Sequence, residues 1–425
     1  MAITRRDFVC SLAACIPAAL DLPAVERKRS SSPNDDDLLI EVERRACRFF
    51  FEQADPETGQ VKDRARHSER DSHTISSIAA TGFGLSAMCI AHQNRFLNPG
   101  EVRIRVERTL EFIAQRMPNE HGFFYHFIDM HTAARAFSSE VSSIDTAILL
   151  LGILHCRTYF EGDAKIAQLA NDIYTRVDWK WMLNGGDTLD HGWKPEGGFL
   201  RYRWDSYSEL TGMYLLAIGS PTHAIPASSW EAWSRPIFQY GDLRYISAPA
   251  PLFIHQSAHA WVDFRHQRDA HADYFQNSTI ATIAHKRFCL GLHDRYPWFS
   301  NELWGITASD SEHGYVVWGG PPAMGPIDGT VVPCAAAGSL VFTPEDCRRV
   351  LKTIFDRYPR AWTRYGFVDA FNPKTGWYDS EVLGIDLGIT LLMAENLRKR
   401  GVWKSFMRNQ EITRAMKAVG FRRER

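Results

Sequence analysis

Apolar residues recur every three to four positions over five long segments of the chain. This spacing, with charged residues between the apolar ones, is typical of amphipathic helices that bury one face. We therefore expect outer helices over Leu38 to Ala54, Glu101 to Met117, Ala164 to Trp179, His271 to His293 and Pro344 to Tyr358.

A second kind of segment begins with small or polar residues and continues as an almost uncharged helix. A helix that is apolar on all sides is buried, so these segments predict inner helices. Six of them occur, at residues 73–88, 138–152, 207–219, 254–264, 328–342 and 380–393. Their alternation with outer helices indicates an all-α fold, an (α/α)6 toroid of six inner and six outer helices. Parallel inner helices bring their polar first turns to one end, where we expect a cleft.

Long loops rich in glycine, proline and aromatic residues interrupt this pattern. They run from Trp181 to Trp204, from Trp298 to Asp328 and from Phe367 to Trp377. Irregular loops of this length usually carry function. We expect them to cover the cleft end of the toroid.

Composition excludes several classes of function. The formal net charge of −1 gives no surface suited to nucleic acid or an anionic membrane. Beyond the N-terminus no apolar run is long enough to span a bilayer, and no P-loop, Rossmann fingerprint or G-x-S-x-G motif occurs. The 13 Trp and 14 Tyr residues suit core packing, interfaces and stacking on sugars alike.

The first 24 residues predict an export signal. Arg5 and Arg6 precede a short apolar run, as in twin-arginine signals. Within the run, Leu-Ala-Ala-Cys ending at Cys15 matches a lipobox, which makes Cys15 a candidate for lipidation. A rough ordinary cleavage site ending at Ala24 is the alternative. We expect an exported protein, periplasmic or extracellular, with a possible lipid anchor.

Residues 25–37 predict a disordered spacer, and residues 38–425 a single domain. Six cysteines lie in that domain, widely scattered and without any C-x-x-C pair. Buried thiols are therefore the expected state.

Carboxylates recur near the predicted starts of the inner helices, namely Glu140, Asp145, Asp205, Glu209, Asp263, Asp328, Asp369, Glu381 and Asp386. Two carboxyl groups across a cleft are the usual apparatus for hydrolysing a glycosidic bond, one as acid and one as base or nucleophile. Helix capping is the alternative, because Ser142-x-x-Asp145 and Ser206-x-x-Glu209 both fit the capping box. From the residues alone both interpretations stay open.

His255, His259 and Asp263 share one face of a predicted inner helix, at i, i+4 and i+8. An H-x-x-x-H pair without the glutamate of a zincin is a weak metal signal. Hydrogen bonding to sugar hydroxyls fits better, and we predict no metal and no cofactor.

Several long motifs resemble a known family. They are SSIDTAILLLG (142–152), YSEL (207–210), PLFIHQSAHAWVDFR (251–265), NELWGITASD (301–310), DGTVVPCAAAGSLVF (328–342), YGFVDAFNP (365–373) and GIDLGITLLMAENLR (384–398). Residues 240–421 are similar to the bacterial glycoamylase-like domain. The whole mature chain resembles glycoside hydrolase family 144, the endo-β-1,2-glucanases.

The resemblance implies a toroid with an acidic cleft that hydrolyses β-1,2-linked glucan by inversion, without a metal. Glu209 matches the family's candidate acid, and Asp145 matches a second essential carboxylate with Glu140 on the same rim. Asp386 is a further candidate base. Here GIDLGI stands where relatives commonly read GIDQGP, so Leu387 and Ile389 lie beside this carboxylate.

The same resemblance suggests residues that bind an oligo- or polysaccharide. Aromatic side chains expected to stack on glucose are Trp204, Trp261, Trp304, Tyr315 and Trp318, and side chains expected to bond hydroxyls are Glu140, His255, Gln256, Arg265, Asp310, Asp369 and Asn372. We expect a monomer. A transglycosylase, a polysaccharide lyase and a non-catalytic glycan-binding lipoprotein are the alternatives.

Overall fold

A computed structural model describes residues 35–68, 71–322 and 325–423 of the chain. The predicted export signal, Cys15 and the spacer up to residue 34 lie outside these residues. The first helix begins at Asp35, three residues before the predicted domain boundary.

The described part of the chain is mainly α-helical, as predicted. The helices are α1 Asp35–Glu52, α2 Ile78–Asn94, α3 Pro99–Gln115, α4 Ser143–Tyr159, α5 Ala164–Thr175, α6 Trp179–Leu183, α7 Thr211–Gly219, α8 Ser229–Ala232, α9 Tyr274–Gly291, α10 Pro333–Ala337, α11 Pro344–Arg357, α12 Gly384–Lys399, α13 Gly401–Phe406 and α14 Gln410–Ala418. Three short 3₁₀ segments span Leu252–His255, Ser257–Ala260 and Pro359–Ala361.

Short strands, which the sequence did not predict as sheets, connect the helices. They are β1 Arg64–Arg66, β2 Ile75–Ser77, β3 Asn119–Glu120, β4 Phe123–Phe124, β5 Phe127–Asp129, β6 Val141–Ser142, β7 Gly192–Lys194, β8 Gly198–Phe199, β9 Ile237–Tyr240, β10 Leu243–Ile246, β11 Gln267–Arg268, β12 Ala308–Ser309, β13 Val316–Val317, β14 Trp362–Thr363, β15 Gly366–Phe367, β16 Phe371–Asn372, β17 Trp377–Tyr378, β18 Glu381–Leu383 and β19 Arg422–Arg423. They form antiparallel pairs and one three-stranded sheet, β6-β7-β8.

Four of the six predicted inner helices form as α2, α4, α7 and α12, and their residues are almost all buried. Two predictions were wrong in detail. Residues 254–264 form 3₁₀ turns, and residues 328–342 contain only the five-residue helix α10. In the first case His255, Gln256 and His259 bond three different neighbouring elements, so tertiary contacts override the local pattern.

The short strands gather the N-terminal ends of the inner helices. Strands β18, β2 and β6 directly precede α12, α2 and α4. Strand β18 pairs with β1, the bridge between Lys62 and Ser76 joins the segment before β1 to β2, and β2 pairs with β5. The bridge between Tyr125 and Val141 continues to β6. Because these pairs run side by side, the helices α12, α2 and α4 begin at one end of the molecule.

Two further contacts bring α7 and α10 to the same end. Trp204, ahead of α7, donates its Nε1 hydrogen to Ser143 Oγ at the start of α4, at 2.9 Å. Val331, ahead of α10, forms a β-bridge with Phe371. The first turns of the inner helices therefore meet, as the sequence predicted.

Helices α2 and α4 approach each other so closely that glycine is required at their crossing. A Cβ atom added at Gly152 would lie 2.0 Å from the carbonyl oxygen of Gly82. Such a distance is far below van der Waals contact, so any side chain there forces the two backbones apart. None of the helices in the described ranges is long and apolar enough to cross a membrane.

Replacing Gly152 with Ala should therefore destabilise the fold. We expect the free energy of unfolding to fall by about 1–3 kcal/mol, because overpacking of a filled core typically costs this much. The matched control is Gly162→Ala, since no atom lies within 4 Å of a Cβ at that position. Urea unfolding of both variants measures the effect, and equal stabilities would contradict the close approach of α2 and α4.

Candidate active site

His126 connects two of the predicted carboxylates. Its Nδ1 lies 3.1 Å from Glu140 Oε1 and its Nε2 lies 3.6 Å from Asp145 Oδ2. The backbone of His126 also donates to the Glu140 carbonyl and accepts from the Ile78 amide, so the residue joins the starts of α4 and α2. We refer to His126, Glu140 and Asp145 as the His126 cluster.

Asp145 lies in the first turn of α4 and is only 2% exposed. Ser142 is the N-cap of this helix, and its Oγ accepts from the Asp145 amide and donates to Asp145 Oδ2 at 2.6 Å. The predicted cap at Ser142 is therefore confirmed. The cap and His126 together hold the carboxylate in one orientation.

Glu140 is kept ionised by its neighbour. Burial acts to raise its pKa, but the hydrogen bond and the charge of His126 outweigh burial and lower the pKa to about 2. Glu140 is therefore negatively charged at neutral pH.

Glu209 is half-buried in the turn that precedes α7. The helix begins only at Thr211, and its N-cap position, Leu210, makes no side-chain cap bond. The capping box expected from Ser206 and Glu209 is therefore wrong, because the chain at Ser206 instead bridges to Ser234. Capping does not account for Glu209, and Asp205 is exposed to solvent.

An aromatic pair connects the Glu209 segment with the His126 cluster. The ring of His191 stacks on Trp204, with ring centroids 4.0 Å apart. Burial lowers the pKa of His191 to about 4, although the charges of Asp205 and Glu140 act in the opposite direction. His191 is thus neutral at pH 7 and lies between the two acidic segments.

A second acidic group lies beside the start of α12. Asp310, Asp369 and Asp379 are all buried, and each offers a carboxylate oxygen within 4.8 Å of the others. We refer to these three residues as the Asp369 cluster. Arg64 bonds Asp310 Oδ2 at 2.6 Å, and the Asp310 amide donates to Asp369 Oδ2 at 2.8 Å.

Two carboxyl groups of this cluster, those of Asp369 and Asp379, are driven towards their protonated forms. Burial, followed by the charge of Asp386, raises the pKa of Asp369 well above its usual range. A hydrogen bond between the side chains of Asp369 and Asp386 contributes to the same shift. Burial and the charge of Asp310 raise the pKa of Asp379 to about 7.

A small cavity lies against Asp369 and Asp386. Its volume is about 20 Å³, room for about one water molecule, and Cys334 and Leu387 also line it. Leu387 is one of the two residues that depart from the expected GIDQGP pattern. An apolar side chain thus stands beside the carboxylate where a polar one was expected.

Both clusters have the geometry to hold a cation. Each presents three ligand atoms within 4.8 Å of one another. The carboxylates of the Asp369 cluster suit a hard cation, whereas the His126 cluster offers imidazole together with carboxylate.

Four predicted sugar-binding residues are inside the protein. Trp261 and Trp304 are 0% exposed, so neither ring offers a face to a sugar. His255 bonds Tyr207 and Ser247, and Gln256 bonds the Ala335 carbonyl and Ser339. In this structure the four side chains therefore have packing or hydrogen-bonding roles inside the protein.

Arg265 lies at the opposite end of the inner helices. It pairs with Asp263, and its guanidinium lies 4.1 Å from the ring centroid of Trp403, which follows the C-terminal end of α12. Its predicted role in binding hydroxyls was therefore wrong. Arg265 is the last residue of the motif at 251–265. This motif passes through the core from one end of the inner helices to the other, and the sequence alone did not predict that path.

The other predicted residues lie near the helix starts. Trp318 is buried and bonds Ser309, and Asn372 bonds Thr330 and the amide of Lys374. Tyr315 is half-buried in the loop ahead of β13. Of the predicted aromatic platforms, Tyr315 retains the most solvent contact.

Residues that the sequence did not single out include His126, Arg64 and Asp379. Arg64 pairs with Asp63 and Asp310 and lies 3.8 Å from Glu381. The available signal for Arg64 was a basic residue directly after the acidic Asp63. His126 had no signal, because it lies directly before the three-residue strand β5, which is too short to show a periodic pattern.

Residues 201–410 match the family model Glycoamylase, "Putative glucoamylase". The predicted resemblance is thereby confirmed, and the match includes Glu209 and Asp386. The chain is 24% identical over 424 residues to the exo beta-1,2-glucooligosaccharide sophorohydrolase (non-reducing end) of Parabacteroides distasonis. The alignment covers 91% of this chain but 58% of that protein, so the chain spans less than two thirds of its relative.

Solved structures resemble almost the whole chain. A "putative glucoamylase" from Bacteroides uniformis is 25% identical with a TM-score of 0.86, covering 93% of this chain and 99% of its own. The endo-beta-1,2-glucanase from Chitinophaga pinensis, in complex with sophorotriose and glucose, is also 25% identical, with a TM-score of 0.84 and coverages of 92% and 99%.

Replacing Glu140 with Gln should change the pH dependence of stability. A group whose folded pKa is depressed stabilises above its unfolded pKa, and this contribution is lost as pH falls through the folded pKa. Since the pKa of Glu140 falls from 4.5 to about 2, we expect wild type to exceed Glu140→Gln by up to about 3 kcal/mol at pH 5 to 6.

The difference should shrink as pH falls from about 4.5 to about 2. Urea unfolding at a series of pH values measures it, with the exposed Glu312→Gln as control. A difference between wild type and Glu140→Gln that does not vary with pH would contradict the ion pair with His126.

Proposed function

We propose that the chain, whose residues 201–410 match the glycoamylase family model, is a glycoside hydrolase acting on β-1,2-linked glucan. One observation carries the proposal: the inner helices begin together, and Asp145 and Glu209 lie at these starts. Two similar proteins bear names of β-1,2-glucan hydrolases. The proposed substrate is therefore a β-1,2-glucan or its oligosaccharides.

We propose that the helices close into an (α/α)6 toroid. Helix α12 contacts both α2 and α10, α4 contacts α2 and α7, and the 3₁₀ turn at 257–260 contacts α7 and α12. These contacts support a closed ring in which the 3₁₀ turns take the place of one inner helix. The remaining helices then lie on the outside, which agrees with their charged faces.

In the proposed reaction Glu209 donates its proton to the glycosidic oxygen as the bond to C1 breaks. Water attacks C1 from the opposite face and gives its proton to Asp145. Inversion requires carboxyl groups about 6.5–9.5 Å apart, so that this water fits between the base and the sugar. The half-buried position of Glu209, in the turn directly before α7, supports its part as acid.

Asp145 suits the role of base because its orientation is fixed from two sides, by Ser142 and by His126. His126 is a positioning residue here, and Glu140 in turn holds His126. Asp386 is the second candidate base. Its hydrogen bond with Asp369 favours a shared proton between the two carboxyl groups, which reduces its capacity to accept another.

The acidic helix starts also argue against a lyase. A polysaccharide lyase needs cationic groups to neutralise a uronate, and Arg64 is already paired with Asp63 and Asp310. A transglycosylase would use the same carboxylates, so product analysis distinguishes it: redistribution of chain lengths without net release of reducing ends would identify transfer.

Replacing Glu209 with Gln should abolish release of reducing ends from linear β-1,2-glucan. We expect kcat to fall by about 10²–10⁴-fold, the usual contribution of a general acid. The matched control is Asp205→Asn, an exposed carboxylate in the same segment, which should retain at least about half of wild-type kcat because it lies outside the proposed chemistry. Circular dichroism checks that both variants fold.

A Glu209→Gln variant that keeps more than a few per cent of activity would remove this residue from the acid role. Equal losses in both variants would point to damage to the segment instead of a missing acid.

The two candidate bases can be compared directly. Asp145→Asn should lower kcat by about 10²–10⁴-fold if Asp145 receives the proton from water. Asp386→Asn should lower kcat less, because its carboxyl group shares a proton with Asp369. Steady-state kinetics of both variants measures the two values of kcat. A larger loss of kcat in Asp386→Asn than in Asp145→Asn would assign the role of base to Asp386.

A further inference from the structure

Phe137 is a large apolar side chain exposed near the His126 cluster. It is 58% exposed, in the loop between β5 and β6. Its backbone φ angle is 53° and that of Ser138 is 47°, so two consecutive non-glycine residues occupy the left-handed region. For a bulky residue this conformation is a true outlier, and such strain persists only where the surroundings impose it.

Arg135 imposes the conformation of this loop. Its guanidinium donates to the Ser138 carbonyl at 2.7 Å and also to the Ser139 carbonyl. The same group forms two hydrogen bonds with Glu196, at 2.9 and 2.8 Å. Ser139 in turn bonds the backbone of Phe127 in both directions. These bonds tie down the backbone around Phe137, whose ring lies outside the core.

An unbroken series of contacts joins this ring to the candidate base. Phe137 meets Phe127 edge-on, with ring centroids 5.8 Å apart, and Phe127 stacks on His126 at 3.8 Å. His126 then contacts Glu140 and Asp145. The exposed ring is thus attached to the rigid group that orients Asp145, at the end of the molecule where the inner helices begin.

We propose that Phe137 is a sugar-stacking platform, a subsite that binds a glucose ring of the glucan chain beside the reacting residues. The proposal rests on the function proposed above. A flat apolar ring offers the C–H face of a pyranose a contact that excludes water. Arg135 and Glu196 beside it supply charged groups that can bond the hydroxyls at the edge of the sugar.

The strained backbone explains why the ring is effective. A platform fixed before binding loses little conformational entropy when the sugar arrives. A Phe side chain on a mobile loop would have to be ordered first. Fixing this residue in an unfavourable conformation is reasonable only if the position of its ring matters.

Truncation of the ring tests the proposal. Phe137→Ala should raise KM for long β-1,2-glucan by about tenfold, the loss expected for a binding aromatic, with a smaller relative change in kcat. The increase should become smaller for short oligosaccharides that do not reach the subsite. Phe137→Trp should stay within about twofold of wild type, because a flat ring remains.

Ile104→Ala is the matched control, since Ile104 is 48% exposed on the outer helix α3. It should leave KM unchanged. Phe137→Asn provides a second way to remove the ring, because asparagine tolerates the left-handed backbone better than alanine. The thermal midpoint of each variant shows whether the loop is still folded.

The outcomes separate this proposal from the function. If wild type cleaves β-1,2-glucan but Phe137→Ala and Phe137→Asn keep the wild-type KM at every chain length, the subsite is refuted and the function stands. A change in oligomeric state with unchanged KM would assign the ring to a protein contact and also refute it. Wild-type protein that neither binds nor cleaves the glucan would overturn both proposals.

Discussion

Short antiparallel strand pairs fix the position of the inner helix starts, and the arrangement of the candidate site depends on them. Strands β18, β1, β2, β5 and β6 form a connected edge, so that α12, α2 and α4 begin side by side. The edge thereby places Asp145 and Asp386, in the first turns of α4 and α12, at the same end of the molecule. The backbone of His126 is hydrogen-bonded within this edge, to Ile78 and Glu140. His126 therefore has a structural role through its backbone and an electrostatic role through its side chain.

Carboxylates that lie close together repel one another, and the two clusters reduce this repulsion in different ways. In the His126 cluster the imidazole lowers the pKa of Glu140 to about 2, so this residue remains charged. In the Asp369 cluster, burial and mutual repulsion raise the pKa of Asp379 to about 7. The helix starts therefore hold one carboxyl group that stays ionised and another that titrates near neutral pH, and both surround the proposed acid and base without taking either role.

Hydrophobic patterning predicted the long buried helices α2, α4 and α12, because their apolar surface extends over several turns. It failed where side-chain contacts decide the backbone, as in the 3₁₀ turns around His255. Residue type was also a poor guide at Trp261, which we expected to stack on glucose but which is buried in the core. A tryptophan ring suits a core and a sugar subsite equally well. His126 could not have been found, because its importance comes from a contact between segments distant in sequence.

The central claim is that carboxylates at the gathered helix starts hydrolyse a β-1,2-glucan by direct displacement with water. The most direct measurement is the anomeric form of the first product released from linear β-1,2-glucan, followed by proton NMR before mutarotation. The account predicts initial formation of the α-anomer, because a single displacement inverts the β-linkage. Initial formation of the β-anomer, or no new reducing ends at all, would contradict it.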